Sequence, residues 1–115
     1  MGERIDKPWG FEDILEVNDH YVVKRLMMKQ GARCSFQYHE NKTETIYVLS
    51  GTLRLHVQDE DSDLVAVIEM REGDHYTITP GIAHRMEGGT DCLYLESSTT
   101  ELDDVVRLED DYGRE

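Results

Sequence analysis

Short runs of β-forming residues recur along this chain at roughly ten-residue intervals, each closed by Gly, Asp, Asn or a Pro-Gly pair. Sustained helical spacing is almost absent, so the chain is restricted to an antiparallel sandwich or barrel. The spacing predicts strands over Gly10 to Val17, Tyr21 to Lys29, Arg33 to His39, Glu44 to Leu49, Leu53 to Gln58, Leu64 to Met70, His75 to Ile78, Ala83 to Glu87 and Cys92 to Ser97. Turns are expected at Asn18-Asp19, Gln30-Gly31, Asn41-Lys42, Ser50-Gly51, Asp59 to Asp63, Glu72-Gly73, Pro80-Gly81 and Gly88-Gly89. At the C-terminus, Val105-Val106 before a charged end predicts an edge strand or a short helical turn. With 115 residues, positions 1–115 read as a single domain.

The charge balance narrows the partners. A net charge of −13, from 25 acids against 12 bases, excludes nucleic acid, because phosphate-backbone binding needs clustered Lys and Arg. An anionic small molecule would have to be held by a few local bases against the global field. The sequence has no apolar run of about 20 residues and no basic-then-apolar start, so the expectation is a cytoplasmic protein without membrane contact. Cys34 and Cys92 fit no metal or disulfide spacing and read as reduced thiols.

The densest chemistry lies between Gly31 and Gly51. Alternation along the predicted strand puts Arg33, Ser35, Gln37 and His39 on one face and Cys34, Phe36 and Tyr38 on the other. A barrel that encloses a ligand site needs polar groups inside, so the first set is expected inward. A hairpin over Glu40 to Thr43 then brings Glu44 to the height of His39, and Thr79-Pro80-Gly81 delivers His84. Gln37 and His39, two positions apart on a strand, lie about 6.6 Å apart at the backbone. Two imidazoles, a carboxylate and an amide oxygen make a ligand set for a divalent ion such as Zn, Mn, Fe or Ni. Arg33 and Lys42, with Ser35 beside them, are the local groups expected to bind a substrate phosphate. Trp9 is expected to plug one end of the barrel, and Phe36, Tyr38 and Tyr47 to form an outward apolar patch suited to a homodimer. Arg85, one residue after His84, is expected on the opposite face in a structural ion pair.

The spacing Gly31, five residues, Gln37, one residue, His39, four residues, Glu44, six residues, Gly51 resembles the first motif of the cupins. Glutamine stands where many cupins have histidine. Gly73 through Pro80-Gly81 and His84 resembles the second motif, with Gly88 in place of the customary asparagine. A finer resemblance is to the cupin domain of type II phosphomannose isomerases, which is often fused behind a mannose-1-phosphate guanylyltransferase. Lys7-Pro8-Trp9-Gly10, Ser35 to His39, Ala83 to Met86 and the C-terminal run Val106 to Arg114 carry it. The family tends to have a His-rich segment with arginine before the glutamate and His-Trp beside it. This chain instead has Glu40, Asn41 and Lys42 before Glu44, then Thr45 and Ile46.

The resemblance implies an all-β double-stranded β-helix, a metal held by Gln37, His39, Glu44 and His84, and aldose-ketose isomerisation of mannose 6-phosphate and fructose 6-phosphate. In such chemistry a metal polarises the open-chain sugar while a base moves a proton between C1 and C2. No residue of the sequence stands out as that proton shuttle. Two other readings stay open: a non-catalytic cupin that binds a sugar or nucleotide-sugar, and an iron oxygenase or lyase built on the two histidines and the glutamate.

Overall fold

A computed structural model describes residues 3–113 and contains eleven strands and no helix among them. The strands are β1 (Glu3–Lys7), β2 (Gly10–Val17), β3 (Val22–Met28), β4 (Phe36–Tyr38), β5 (Glu44–Ser50), β6 (Leu53–Gln58), β7 (Val65–Met70), β8 (His75–Ile78), β9 (His84–Gly88), β10 (Cys92–Ser98) and β11 (Val106–Glu109). Six strands form one antiparallel sheet in the order β1-β2-β3-β10-β5-β8, and five form the other in the order β11-β4-β9-β6-β7. This is the two-sheet β-sandwich expected of a cupin. Arg114, the end of the C-terminal match, lies outside the described residues.

Alternation accounts for the core. Along β3 the burial follows Val22, Lys24, Leu26 and Met28, and along β6 it follows Leu53, Leu55 and Val57. In the first sheet Leu26, Tyr94 and Val48 stand side by side across β3, β10 and β5. Leu53, Leu55 and Met86 supply the buried face of the second. Leu55 is fully buried, which is worth about 2 kcal/mol relative to exposure. Gly51 turns β5 into β6 at a φ of 77°, and a Cβ there would sit 2.3 Å from the Asp91 carbonyl oxygen. That turn admits only glycine.

Three details differ from the sequence expectation. The charged N-terminal segment adds a strand, β1, which pairs with β2, whereas β11 is the edge strand expected as one of two outcomes for the C-terminal run. The strand expected over Arg33 to His39 is confined to Phe36–Tyr38. Before it, the Cys34 carbonyl accepts a bond from Arg85 Nε (3.0 Å), and Cys34 Sγ accepts the Met86 N–H (3.3 Å). The Cys34 N–H still donates to the Met86 carbonyl (3.1 Å), but side chains have replaced the return bond, the alternation breaks, and Cys34 is buried in the core beside a buried Ser35 rather than facing outward. The apolar patch of Phe36, Tyr38 and Tyr47 does not form as one surface. Tyr47 lies on β5 of one sheet, whereas Phe36 and Tyr38 lie half-buried on β4 of the other, flanked by β11. Among the described residues no helix is long and apolar enough to cross a membrane.

The sheets separate along one side, between the β1 and β11 edges. A cavity of about 490 Å³ opens there, lined by β1, β2, β3 and β10 on one wall and by β4, β9 and β11 on the other. Trp9, 5% exposed, is packed into the core and contributes to that lining.

Candidate metal centre

The hairpin between β4 and β5 carries His39 and Glu44 and is shaped by an acid far along the chain. The Asp104 carboxylate accepts the backbone N–H groups of Glu40, Asn41 and Lys42 at 2.9, 2.7 and 2.9 Å. The backbone carbonyl of the same residue lies 2.5 Å from His39 Nδ1. On the other side, the Gly81 N–H donates to the His39 carbonyl (2.7 Å), tying the Pro-Gly turn to the hairpin. That turn starts β9 with His84, whose Nδ1 lies 2.8 Å from the Ile82 carbonyl oxygen.

These carbonyls decide the chemistry of the two rings. A carbonyl can only accept, so Nδ1 of each imidazole carries the proton and Nε2 of a neutral ring carries the lone pair. The rings lie 5.1 Å apart, centroid to centroid, tilted by 53°. His39 Nε2 is 2.7 Å and His84 Nε2 is 4.0 Å from Glu44 Oε1, and the three donor atoms fall within 4.8 Å of one another. The side chains are 2%, 0% and 1% exposed. Yet His39 Nε2, His84 Nε2 and both Glu44 carboxylate oxygens lack a hydrogen-bond partner.

Four buried, convergent, unsatisfied acceptors would each be costly without a cation among them. The set therefore fits a divalent metal, with two imidazole nitrogens and a carboxylate as first donors. Ionisation agrees. Burial lowers His84, favouring the neutral ring a metal requires.

Gln37 joins from the neighbouring strand. Its Cα pairs directly with His84 across β4 and β9, which sets both side chains on one face of the sheet. Its side-chain oxygen accepts the Ser35 hydroxyl, so Ser35 acts on Gln37 and both line the cavity. Lys42 turns inward from the hairpin, 7% exposed, with Nζ 3.9 Å from Glu44 Oε1. Arg33 does not reach the cavity. Its guanidinium is held by Asp111 at 2.7 and 3.2 Å, and the broken strand leaves Arg33 only an isolated bridge to Glu87. Arg85 is buried, donating to Cys34 and lying 3.6 Å from Asp111.

Three cavity and loop residues escaped the sequence reading. Glu96 shares the buried face of β10 with Cys92 and Tyr94, so alternation alone could have found it. Burial and the neighbouring charge of Glu44 hold its carboxyl well above the usual range. Arg107 lines the cavity from β11, out of phase with Val106 and Leu108, a signal too short to read before the strand itself was known. Asp104 sits in an acid-rich stretch with no pattern to single it out.

Comparison with known proteins places the chain. Residues 1–110 match the family model described as mannose-6-phosphate isomerase C-terminal. The chain is 32% identical to the xanthan biosynthesis protein XanB of Xanthomonas campestris pv. campestris, over 96% of its own length and 24% of that protein. It is 34% identical to a mannose-1-phosphate guanylyltransferase of Escherichia coli K12, over 94% of its own length and 22% of that protein. It thus spans about a quarter of such relatives. Among solved structures, the capsular polysaccharide assembling protein CapF of Staphylococcus aureus superposes with a TM-score of 0.83 at 19% identity, covering 95% of this chain and 34% of that one. Oxalate decarboxylase of Bacillus subtilis superposes with a TM-score of 0.81 at 16% identity, covering 93% and 30%. Those two likenesses concern the fold.

Proposed function

We propose, from the premise that this chain belongs to the mannose-6-phosphate isomerase C-terminal family, that it is a metal-dependent aldose-ketose isomerase of mannose 6-phosphate and fructose 6-phosphate. The observation that carries the reading is the buried set His39, Glu44 and His84, with its unsatisfied donor atoms, beside a cavity of about 490 Å³. A divalent ion held by these three residues, with Gln37 beside them, would supply Lewis acidity to a sugar carbonyl.

The rest falls to the chain's own groups. Asp104 and Ile82 fix the two imidazoles through their carbonyls, and Ser35 orients the Gln37 amide. Glu96, on the buried face of β10, and Lys42, with Nζ 3.9 Å from Glu44 Oε1, line the cavity, and they are the residues we assign to proton movement at the sugar C1 and C2. Trp9 and Leu26 provide the apolar wall that limits water.

The test is direct. Purified protein reconstituted with Zn²⁺ or Mn²⁺ is expected to interconvert mannose 6-phosphate and fructose 6-phosphate, and absence of turnover with every divalent ion tried would reject the activity. A second reading draws on the quarter-length match to guanylyltransferases and on the altered hairpin Glu40 to Thr43. In that reading the domain binds a mannose phosphate or nucleotide-sugar without converting it. Saturable binding in the absence of turnover would select it.

A further inference from the structure

We infer that Arg107 is the anchor for the phosphate of an open-chain hexose 6-phosphate, at the edge of the cavity opposite the metal ligands. The inference rests on the isomerase reading for the substrate class and on independent geometry for the residue.

A chain with a net charge of −13 holds an anion only where a cation is left uncommitted. Most candidates are engaged. Arg33 is bound by Asp111, Arg4 and Arg25 share Asp13, and Lys24 faces Glu12 at 3.3 Å. Lys42 lies over Glu44. Arg107 lines the cavity, its Nε is buried without an acceptor, and no acid among the described residues pairs with it. A buried guanidinium nitrogen without an acceptor is costly, and a bound oxyanion removes that cost.

Register gives the distance. Arg107 pairs with Gln37 across β11 and β4, and Gln37 pairs with His84 across β4 and β9. Directly opposed residues share a face, so Arg107, Gln37 and His84 form one row on the cavity side of the sheet. Two strand spacings, about 9 to 10 Å, separate the ends of that row. An extended six-carbon sugar phosphate has a comparable length between its C1–C2 end and its phosphorus atom. With C1 and C2 at the His84 end, the phosphate falls at Arg107, whose planar fork matches two phosphate oxygens. Lys7, on the β1 edge of the opposite sheet, lines the same cavity and adds positive charge across the opening.

The experiment compares wild type, Arg107→Gln, Arg107→Lys and the charge-matched Arg54→Gln, an exposed β6 position. All four are metal-loaded, and folding is verified by circular dichroism. Calorimetric titration with fructose 6-phosphate and with inorganic phosphate is the primary readout, with bound metal measured alongside. Arg107→Gln is expected to weaken fructose 6-phosphate about tenfold to a hundredfold with metal content unchanged, Arg107→Lys to recover part of the loss, and Arg54→Gln to match wild type. If Arg107→Gln binds fructose 6-phosphate within about twofold of wild type, or if Arg54→Gln loses as much, the assignment is wrong. Should wild type bind but not turn over the sugar phosphate, and Arg107→Gln lose that binding, the anchor stands while the isomerase reading fails. If instead wild type isomerises and Arg107→Gln keeps its KM, the reading stands and the anchor fails. A wild type that binds no sugar phosphate overturns both.

Discussion

Metal loading should raise the melting temperature of this protein by an amount that can be worked in advance. The cause is local: His39 Nε2, His84 Nε2 and the two Glu44 oxygens are buried and unsatisfied, so an ion that bridges them binds the folded chain and has no comparable site in the unfolded one. For an ion present at a hundred times its Kd, that preference is worth about 2.7 kcal/mol. An unfolding entropy of about 2.1 cal/mol/K per residue near 60 °C gives a 115-residue chain about 0.24 kcal/mol/K. The quotient is a rise of about 11 °C. The assay is differential scanning calorimetry of chelator-stripped protein titrated with Zn²⁺, Mn²⁺, Fe²⁺, Co²⁺ and Ni²⁺. His39→Ala and His84→Ala should each remove most of the rise. If no ion shifts the transition by more than about 1–2 °C, or if the His39→Ala, His84→Ala double variant responds like wild type, the reasoning from unsatisfied donors is refuted.

Asp104→Ala deletes the acceptor of three hairpin N–H groups while keeping the carbonyl on His39, and is expected to weaken metal binding about tenfold to a hundredfold in a chelator competition. Unchanged affinity would mean the hairpin holds its shape alone. Leu55→Ala, at a fully buried core position, should cost about 2–5 kcal/mol in urea unfolding, and a loss under about 1 kcal/mol would show a core that recloses. Burial pushes the Cys34 and Cys92 thiols up to about 11, so the thiolate fraction is small at pH 8 and grows only as pH approaches that value. Both should resist iodoacetamide at pH 8 in the folded protein and react on unfolding; rapid alkylation of the native chain would contradict their placement.

Much of the barrel was legible because burial on one sheet face imposes a period of two. Leu53–Gln58 shows that period cleanly, and it, Gly10–Val17 and His75–Ile78 occupy the bounds that β-forming runs between turn residues predict. His84 is legible because Pro80-Gly81 marks the turn before its strand, and His39 and Glu44 because Asn41-Lys42 marks the hairpin between them. Arg33 departs from its expected face for a physical reason: alternation does not continue through Cys34, where Arg85 Nε and the thiol take the Cys34 carbonyl and the Met86 N–H out of the ladder. Tertiary pairing of this kind leaves no trace in a local pattern. The same applies to Asp104, whose partners lie 62 to 65 positions away.

β11 joins its sheet at one edge, through three paired positions and a register shift. It carries Arg107, and the loop before it carries Asp104. The core faces of β3, β5, β6, β9 and β10 pack without either residue, whereas the hairpin takes its clamp and the cavity its arginine from this edge. The hairpin clamp and the cavity arginine thus both hang on an edge strand, so a change that loosens β11 would disable the centre while leaving the core of the sandwich in place.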